Sequence, residues 1–213
     1  MNILILVSGN GTNLQALIDA EKAGRFSGEG SGHSGKIAAV LSDRPGVYAL
    51  ERAKHAGIPA LTVIPDKALP KPERRQELSD RILKVCRERD IGLIIYAGFI
   101  SILTGELFEV YAGRMINVHP SLLPKFGGQG MYGERVHKAV LAAGEKESGC
   151  TVHIVDAEVD AGPILIQRKV PVLAGDTADT LAERIHKEEH SAIVDGAVIM
   201  IKKLAVIIKG EKR

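Results

Sequence analysis

Asn117 and His119 are the residues of this sequence best suited to chemistry at a carbonyl group. They lie two positions apart in the hydrophobic run MINVHPSLLPKF, which breaks at Pro120. A spacing of two on a strand puts both side chains on one face. An asparagine amide can donate to a developing oxyanion, and a histidine can move a proton near neutral pH. The alternative is that the pair only forms hydrogen bonds at the end of a strand.

Two carboxylates follow in the segment TVHIVDAEVDAGPIL, between two hydrophobic runs of strand length. Carboxylates in such a link, here Asp156 and Asp160, often serve only to cap a turn. If Asp160 instead approaches His119, it would favour the imidazolium and help to hold a water. The segment would then supply an acid for a leaving amine.

A glycine-rich turn, Ser8-Gly9-Asn10-Gly11, separates the first hydrophobic run from a helical pattern. The first N–H groups of a helix have no internal partner and, with the helix dipole, favour an anion. Thr12 and Asn13 bring side-chain donors to the same point. No Gly-Lys-Ser/Thr follows, and the third glycine of the dinucleotide fingerprint is missing, so ATP and NAD are disfavoured. The turn predicts a site for one phosphate monoester, the alternative being a tight turn capped by Thr12.

These residues must be positioned by a regular alternation of strands and helices. Apolar runs of strand length recur at residues 2–7, 37–42, 60–64, 92–96, 114–118, 150–155 and 163–170. Helical patterns cover residues 12–24, 46–56, 73–89, 133–143 and 178–202. This order predicts an α/β fold: a Rossmann-like, mostly parallel twisted sheet with helices on both faces. The final residues, 203–213, are predicted to add a short edge strand.

Length and composition limit the class of protein. The 213 residues predict a single domain, with a phosphate-binding half over about 1–112 and a catalytic half over about 113–213. A net charge of +2 is too small for a nucleic-acid or membrane partner. The sequence has no apolar run near the ~20 residues that a membrane helix requires. We therefore expect a cytoplasmic protein with small-molecule partners.

The remaining reactive side chains are expected to be structural. Cys86 and Cys150 belong to no C-x-x-C pair, which favours two buried free thiols over a reactive thiol or a disulfide. Two positions are equally compatible with the sequence for His153: facing the cleft, or in the core with a hydrogen bond to the backbone. His33 lies in the low-complexity segment 27–35, which we predict to be a mobile loop. The other histidines are expected to lie on helices with side chains that are solvated or partly buried: His55, His137, His186 and His190.

Five segments together resemble one enzyme family. They are SGNGTNLQAL, YAGFISIL, INVHPSLLPKF, VDAEVDAGPI and the EEH of the last helix. In order and spacing they resemble the phosphoribosylglycinamide formyltransferases, folate-dependent enzymes of purine synthesis. The pattern N-x-H-P-S-L-L-P followed by D-x-G-P is specific to the formyltetrahydrofolate-using superfamily. The S-G-N-G-[ST]-N start points to this member and not to the methionyl-tRNA formyltransferases.

The resemblance implies a formyltransferase fold, in which the catalytic half over about 113–213 also binds folate, and a reaction. The formyl group of 10-formyltetrahydrofolate would pass to the amine of 5′-phosphoribosylglycinamide through a tetrahedral intermediate, in a monomer or homodimer that needs no metal. The implied catalytic residues are Asn117, His119 and Asp160. The implied acceptor-binding residues are Gly11, Thr12 and Asn13 for the phosphate and Glu189 for the ribosyl-glycinamide part. The implied folate-binding residues are Arg75, Ile100, Ser101, Ile102, Leu103, Asn117 and Asp156.

The chain departs from the family pattern at two places where the folate should bind. Ser101 stands where an arginine is expected, and the Gly-rich loop at 125–133 is longer than usual. Arg74 lies beside Arg75, and the choice of Arg75 depends on its ungapped distance to Ala97–Phe99.

Three other assignments compete with this transferase. A formyltetrahydrofolate hydrolase would use the same trio with water as acceptor, but carries an added N-terminal regulatory domain. A methionyl-tRNA formyltransferase would need a C-terminal RNA-binding domain. We expect neither in 213 residues. A catalytically silent sugar-phosphate-binding protein is the competitor of another class.

Overall fold

One sheet runs through the part of the chain that the structure, a computed structural model, describes: residues 1–28 and 34–210. Its strands are β1 (Asn2–Val7), β2 (Lys36–Ser42), β3 (Ala60–Thr62), β4 (Ile91–Tyr96), β5 (Met115–His119), β6 (Glu147–Ile154) and β7 (Ile164–Pro171). The helices are α1 (Thr12–Lys22), α2 (Tyr48–His55), α3 (Lys71–Glu88), α4 (Glu106–Val110), α5 (Glu134–Ala142) and α6 (Ala178–Gly210).

The sheet is mostly parallel, in the order β3-β2-β1-β4-β5-β6-β7. Strands β1 to β5 pair in parallel, whereas β6 pairs antiparallel with both β5 and β7. Each parallel pair needs a crossover, and helices supply most of these connections. The predicted α/β architecture, a mostly parallel sheet with helices, is confirmed.

Two hydrophobic cores cover the two faces of the sheet. Ile3 and Ile5 of β1 face the core under α1, α5 and α6. Leu4 and Leu6 of the same strand face the core under α3 and α4. Since β1 is buried on both faces, its sequence is a continuous apolar run and does not alternate with polar residues.

The C-terminal segment was predicted wrongly as an edge strand. Helix α6 continues through this segment to Gly210, and residues 211–213 lie outside the described part of the chain. The helical spacing of the buried residues Ala197, Met200, Ile201 and Leu204 explains the correction, because all four pack on one face. Among the described helices, none has the length and apolarity that crossing a membrane requires.

Two further short segments were not tested or not predicted. Helix α4 was not predicted, because its five residues span little more than one turn and bury only Leu107. Most of the predicted loop at 27–35, including His33, lies outside the described residues.

The link between β6 and β7 is closed by a short backbone contact. The Ile154 N–H donates to the Pro163 carbonyl at 2.8 Å, so that the ends of the link meet. A Cβ at Gly162 would lie 2.0 Å from the Ile154 carbonyl oxygen. Only glycine allows this approach.

We expect Gly162→Ala to destabilise the protein by about 1–3 kcal/mol, the usual result of forcing an added carbon into a packed position. Thermal and urea unfolding would measure the loss. Gly9→Ala is the matched control, since a Cβ there would meet nothing within 4 Å. Equal unfolding midpoints for the two variants would contradict the prediction.

Candidate active site

A cleft of about 960 Å³ opens at the carboxyl ends of the central strands. After β1 the chain adds β2 and β3 on one side of the sheet. After β4 it adds β5, β6 and β7 on the other side. The loops after β1 and β4 therefore diverge, and this switch point is where ligands bind in open α/β sheets. The cleft collects the residues that the sequence predicted for both substrates.

The glycine turn presents unpaired N–H donors to this cleft. Gly11 is the N-cap of α1 in a left-handed conformation, φ 78°, and no side chain caps the helix. The alternative in which Thr12 caps the turn is therefore wrong, because Thr12 is the first helical residue. A Cβ at Gly11 would lie 2.6 Å from the Ala49 Cβ, which restricts the position to glycine. The first turn of α1 can thus donate to an anion.

A buried carboxylate joins the glycine turn to the loop after β4. Asp43, at the end of β2, accepts hydrogen bonds from the Ser8 hydroxyl at 2.7 Å and from the Ser101 hydroxyl at 2.6 Å. The Ser8 oxygen in turn accepts the Ile100 N–H at 2.9 Å. Ser101, which stands where an arginine was expected, therefore fixes the position of the loop.

The predicted catalytic side chains converge at one end of β5. His119 Nδ1 lies 3.4 Å from Asp160 Oδ2, and its Nε2 donates to the Phe126 carbonyl at 2.8 Å. Asn117 Nδ2 lies 3.2 Å from His153 Nε2, which is 3.6 Å from Asp160 Oδ1. The Asp160 carboxylate therefore faces two imidazoles, and Nδ1 is the basic atom of a neutral His119.

Local backbone and charge keep Asp160 ionised. The residue has a left-handed backbone, φ 59°, and its carboxylate accepts the Gly128 N–H at 3.0 Å. Burial opposes ionisation, but the hydrogen bond and charge of His153 and the charge of His119 outweigh it and lower the pKa of Asp160. For His119, burial lowers the pKa, and the neighbouring Asp160 only partly offsets this effect. The pair at neutral pH is a carboxylate beside a mainly neutral imidazole.

The sequence left two roles open for Asp156 in the link and for His153 at the end of β6, and the structure bears on both. Asp156 is exposed at the cleft, and its Oδ1 accepts the Glu158 N–H in a turn. His153 is both a cleft residue and bonded to backbone, through Nδ1 and the Ile154 carbonyl at 2.9 Å.

The predicted folate residues after β4 also line the cleft. Leu103 is buried, whereas Ile100 is 38% exposed. Arg74 and Arg75 both line the cleft from α3 and are half-buried, so the structure does not separate them.

Glu189 closes the opposite end of the cleft, next to the glycine turn. Burial raises the pKa of Glu189 to about 7, and a hydrogen bond from Asn13 works against this rise. The carboxyl is thus partly protonated at neutral pH and can both accept and donate hydrogen bonds.

Sequence reasoning missed a second histidine pair beside Glu189. His137 and His186 both line the cleft, with ring centroids 6.4 Å apart. The expectation of a solvated or partly buried role is wrong for His137, which is 2% exposed. The spacing of His137 with Val140 and Leu141 on α5 was the available signal, since it puts the histidine on the inward stripe.

The remaining candidate groups are enclosed in the cores. Cys86 and Cys150 are free and buried, as predicted, and burial raises the pKa of each thiol to about 12. Neither thiol is therefore a ready nucleophile. Within residues 1–28 and 34–210, no group of three His, Cys, Asp or Glu side chains could hold a metal ion.

Acid should destabilise the fold through His137. Burial lowers the pKa of His137 from 6.5 to about 4, so the unfolded chain binds a proton that the native chain does not. The stability that the neutral His137 contributes is complete above pH 6.5 and is lost as pH falls toward 4, by about 3 kcal/mol in total. Urea unfolding at several pH values would measure it. In His137→Gln the slope over this range should flatten, and an unchanged slope would contradict the assignment.

Comparison with known proteins agrees with this geometry. The profile of the formyl transferase family matches residues 1–197. Phosphoribosylglycinamide formyltransferase of Escherichia coli (strain K12) is 39% identical over 191 residues, which are 90% of this chain and 82% of that protein. The structure of glycinamide ribonucleotide transformylase 1 from Symbiobacterium toebii superposes with a TM-score of 0.84 at 36% identity, covering 95% of this chain and 88% of that one.

Longer relatives contain a matching region. The trifunctional purine biosynthetic protein adenosine-3 of Drosophila melanogaster is 42% identical over 205 residues, 96% of this chain but 14% of that protein. The chain thus spans about one seventh of the length of this relative. On the family profile and on these identities, the chain belongs to the formyl transferase family, together with the phosphoribosylglycinamide formyltransferases.

Proposed function

We propose that this chain transfers the formyl group of 10-formyltetrahydrofolate to the amine of 5′-phosphoribosylglycinamide. The observation that carries the proposal is the convergence of Asn117, His119 and Asp160 in one cleft with the uncapped glycine turn. The trio suits acyl transfer to an amine, and the turn suits an acceptor with a phosphate. The relatives named as formyltransferases for this acceptor support the same reaction.

The acceptor would lie along the side of the cleft formed by α1 and α6. Its phosphate would accept the N–H groups of Gly11, Thr12 and Asn13 at the helix N-terminus. Its ribose hydroxyls would meet Glu189, whose partly protonated carboxyl repels the phosphate less than a full charge would. This arrangement would aim the glycinamide amine toward the Asn117 and His119 end of the cleft.

The donor would lie between the loop after β4 and the link before β7. Buried Leu103 and half-exposed Ile100 provide an apolar wall for the ring system of the folate. Asp156, exposed at the rim, and Arg75, on α3, would contact the polar parts of the ligand. Asp43 would hold this wall at a fixed distance from the glycine turn, through its bonds to Ser8 and Ser101.

The chemistry requires stabilisation of charge and a route for protons. The acceptor amine attacks the formyl carbon, and the carbonyl oxygen becomes an oxyanion in the tetrahedral intermediate. Asn117 would donate to this oxygen, and the positive charge of protonated His119 would stabilise it. The proton leaving the amine must reach the departing folate nitrogen, and His119 with a water held by Asp160 would relay it. Asp160 favours the transient imidazolium because its charge lies 3.4 Å from Nδ1.

His119→Ala should reduce acceptor-dependent turnover by about 10²- to 10⁴-fold, the usual effect of losing a general acid or base. Steady-state formation of tetrahydrofolate, followed by absorbance with and without 5′-phosphoribosylglycinamide, would measure it. His55→Ala is the matched control, since His55 is exposed at the end of α2, outside the cleft lining.

The same assay separates the competing functions. Turnover that does not depend on the acceptor would identify a formyltetrahydrofolate hydrolase. Tight binding of the ribonucleotide with no turnover by the wild-type protein would identify a silent sugar-phosphate-binding protein. Either result would overturn the proposed transferase.

Asp160→Asn should lower turnover by about 10²- to 10⁴-fold and displace the pH profile. The Asp160 charge raises the pKa of His119 against the effect of burial, so removing it lowers that pKa further. The acidic limb of the profile should therefore move to lower pH. Asp80→Asn removes one exposed carboxylate on α3 and serves as the control for charge. If the acidic limb of the pH profile stays at the same pH in Asp160→Asn, Asp160 does not act on the pKa of His119.

A further inference from the structure

A chain of contacts extends the phosphate end of the cleft beyond the glycine turn. Asn13, in the first turn of α1, lies against Glu189 of α6 and partly offsets the rise that burial causes in the pKa of its carboxyl. The Glu189 Oε2 lies 3.7 Å from His186 Nε2, one helical turn earlier on α6. The His186 ring meets the His137 ring of α5 edge to face, at 6.4 Å and 86°. The two imidazoles therefore lie next to the place that the proposed function gives to the acceptor phosphate.

Polar atoms at this end of the cleft are unsatisfied. Among the described residues, no partner bonds His137 Nδ1 or Asn13 Oδ1, although both atoms are buried. An orphaned buried polar atom is unfavourable, and native structures rarely keep one without a reason. A ligand hydroxyl would donate to Asn13 Oδ1, and a phosphate oxygen would accept from His137 Nδ1 once that nitrogen carries a proton.

Among the side chains that line the cleft, fixed positive charge is scarce on this side of the sheet. Arg52 of α2 lies beside the glycine turn, but its guanidinium is already bonded to the carbonyl and side-chain oxygens of Asn10. The described cationic side chains that line the cleft are Lys71, Arg74, Arg75 and Arg135. The first three lie on α3, which covers the opposite face of the sheet from α1. The guanidinium of Arg135, on α5, stacks 5.1 Å above the Tyr132 ring. A phosphate dianion at the glycine turn would therefore meet helix N–H groups but no lysine of the kind that a P-loop uses.

We propose that His137 and His186 form a proton-accepting clamp for the phosphate of the acceptor, so that binding of the sugar phosphate takes up a proton from solvent. The proposal rests on the proposed function for the identity of the acceptor. One imidazole gains a proton and becomes the missing cation, and the second donates an N–H from its neutral form. The pocket thus gains positive charge only when an anion is present.

The environment of both rings keeps them neutral before binding. Burial lowers the pKa of each, and repulsion from His186 and His119 adds to the effect on His137. The acidic groups facing His186 are Glu183 and Glu189 on its own helix, of which Glu183 raises its pKa. His190, also on α6, is a further imidazole within electrostatic range of His186. A dianion within about 4–6 Å reverses this balance and raises an imidazole pKa by about 1–3 units.

The test is a titration of the histidine ring resonances by NMR, in the full chain, with and without saturating ribose 5-phosphate. We expect the pKa of His137 or His186, or of both, to rise by about 1–3 units with ribose 5-phosphate and to stay in place with ribose. His137→Gln and His186→Gln assign the resonances. Because the His186 side chain is 52% exposed, its variant should fold even if the buried His137 variant does not.

The affinity gives a second readout. Between the free and the bound pKa of the imidazole that takes up the proton, the Kd of wild type for ribose 5-phosphate should rise by up to about tenfold per pH unit, because binding in that range requires a proton from solvent. The slope should be shallower in His186→Gln, which removes one of the two proton acceptors.

Imidazole pKa values that do not move while ribose 5-phosphate saturates the protein would overturn the clamp. Absence of any ribose 5-phosphate binding would overturn both the clamp and the phosphate assignment of the glycine turn. If the rings titrate on binding but no formyl transfer occurs, the proposed reaction fails and the proton-linked pocket stands.

Discussion

The reversal of strand order between β1 and β4 is the constraint on which the site depends. Parallel strands end at the same edge of a sheet, and crossovers that leave in opposite directions open a crevice at that edge. Here the crevice receives the uncapped start of α1 from one side and the loop after β4 from the other. Asp43 spans the opening with two short hydroxyl bonds, so the two walls keep a fixed separation without covalent links.

The antiparallel strands added at one side of the sheet bring charge to this crevice. Strand β6 turns back beside β5, and the link that follows it returns Asp160 to the end of β5. The left-handed backbone of Asp160 is unfavourable locally, and its contacts with His119 and His153 and the hydrogen bond from the Gly128 N–H offset this cost. A single carboxylate thereby orients two imidazoles. The parallel strands form the walls of the crevice and carry His119, and the antiparallel strands and their link add His153 and Asp160.

The sequence predicted the parts of this arrangement that have a short-range signal. Apolar runs of strand length located the seven strands, and the two-residue spacing of Asn117 and His119 placed them together. Helix α4 was too short for a periodic signal, and the end of the last helix was mistaken for a strand because residues 204–208 form a continuous apolar run. His137 was missed because its role depends on contact with His186, 49 positions away in the chain. Such long-range juxtapositions are set by packing, which no local pattern encodes.

The two buried thiols give the molecule a pair of internal reporters. Cys86 belongs to the core under α3 and α4, and Cys150 to the core under α1, α5 and α6, so one thiol lies on each face of the sheet. A thiol with its pKa near 12 reacts only after water reaches it. The modification rate of each cysteine therefore follows the opening of its own layer, and the ratio of the two rates tells whether the helical layers detach together or one at a time.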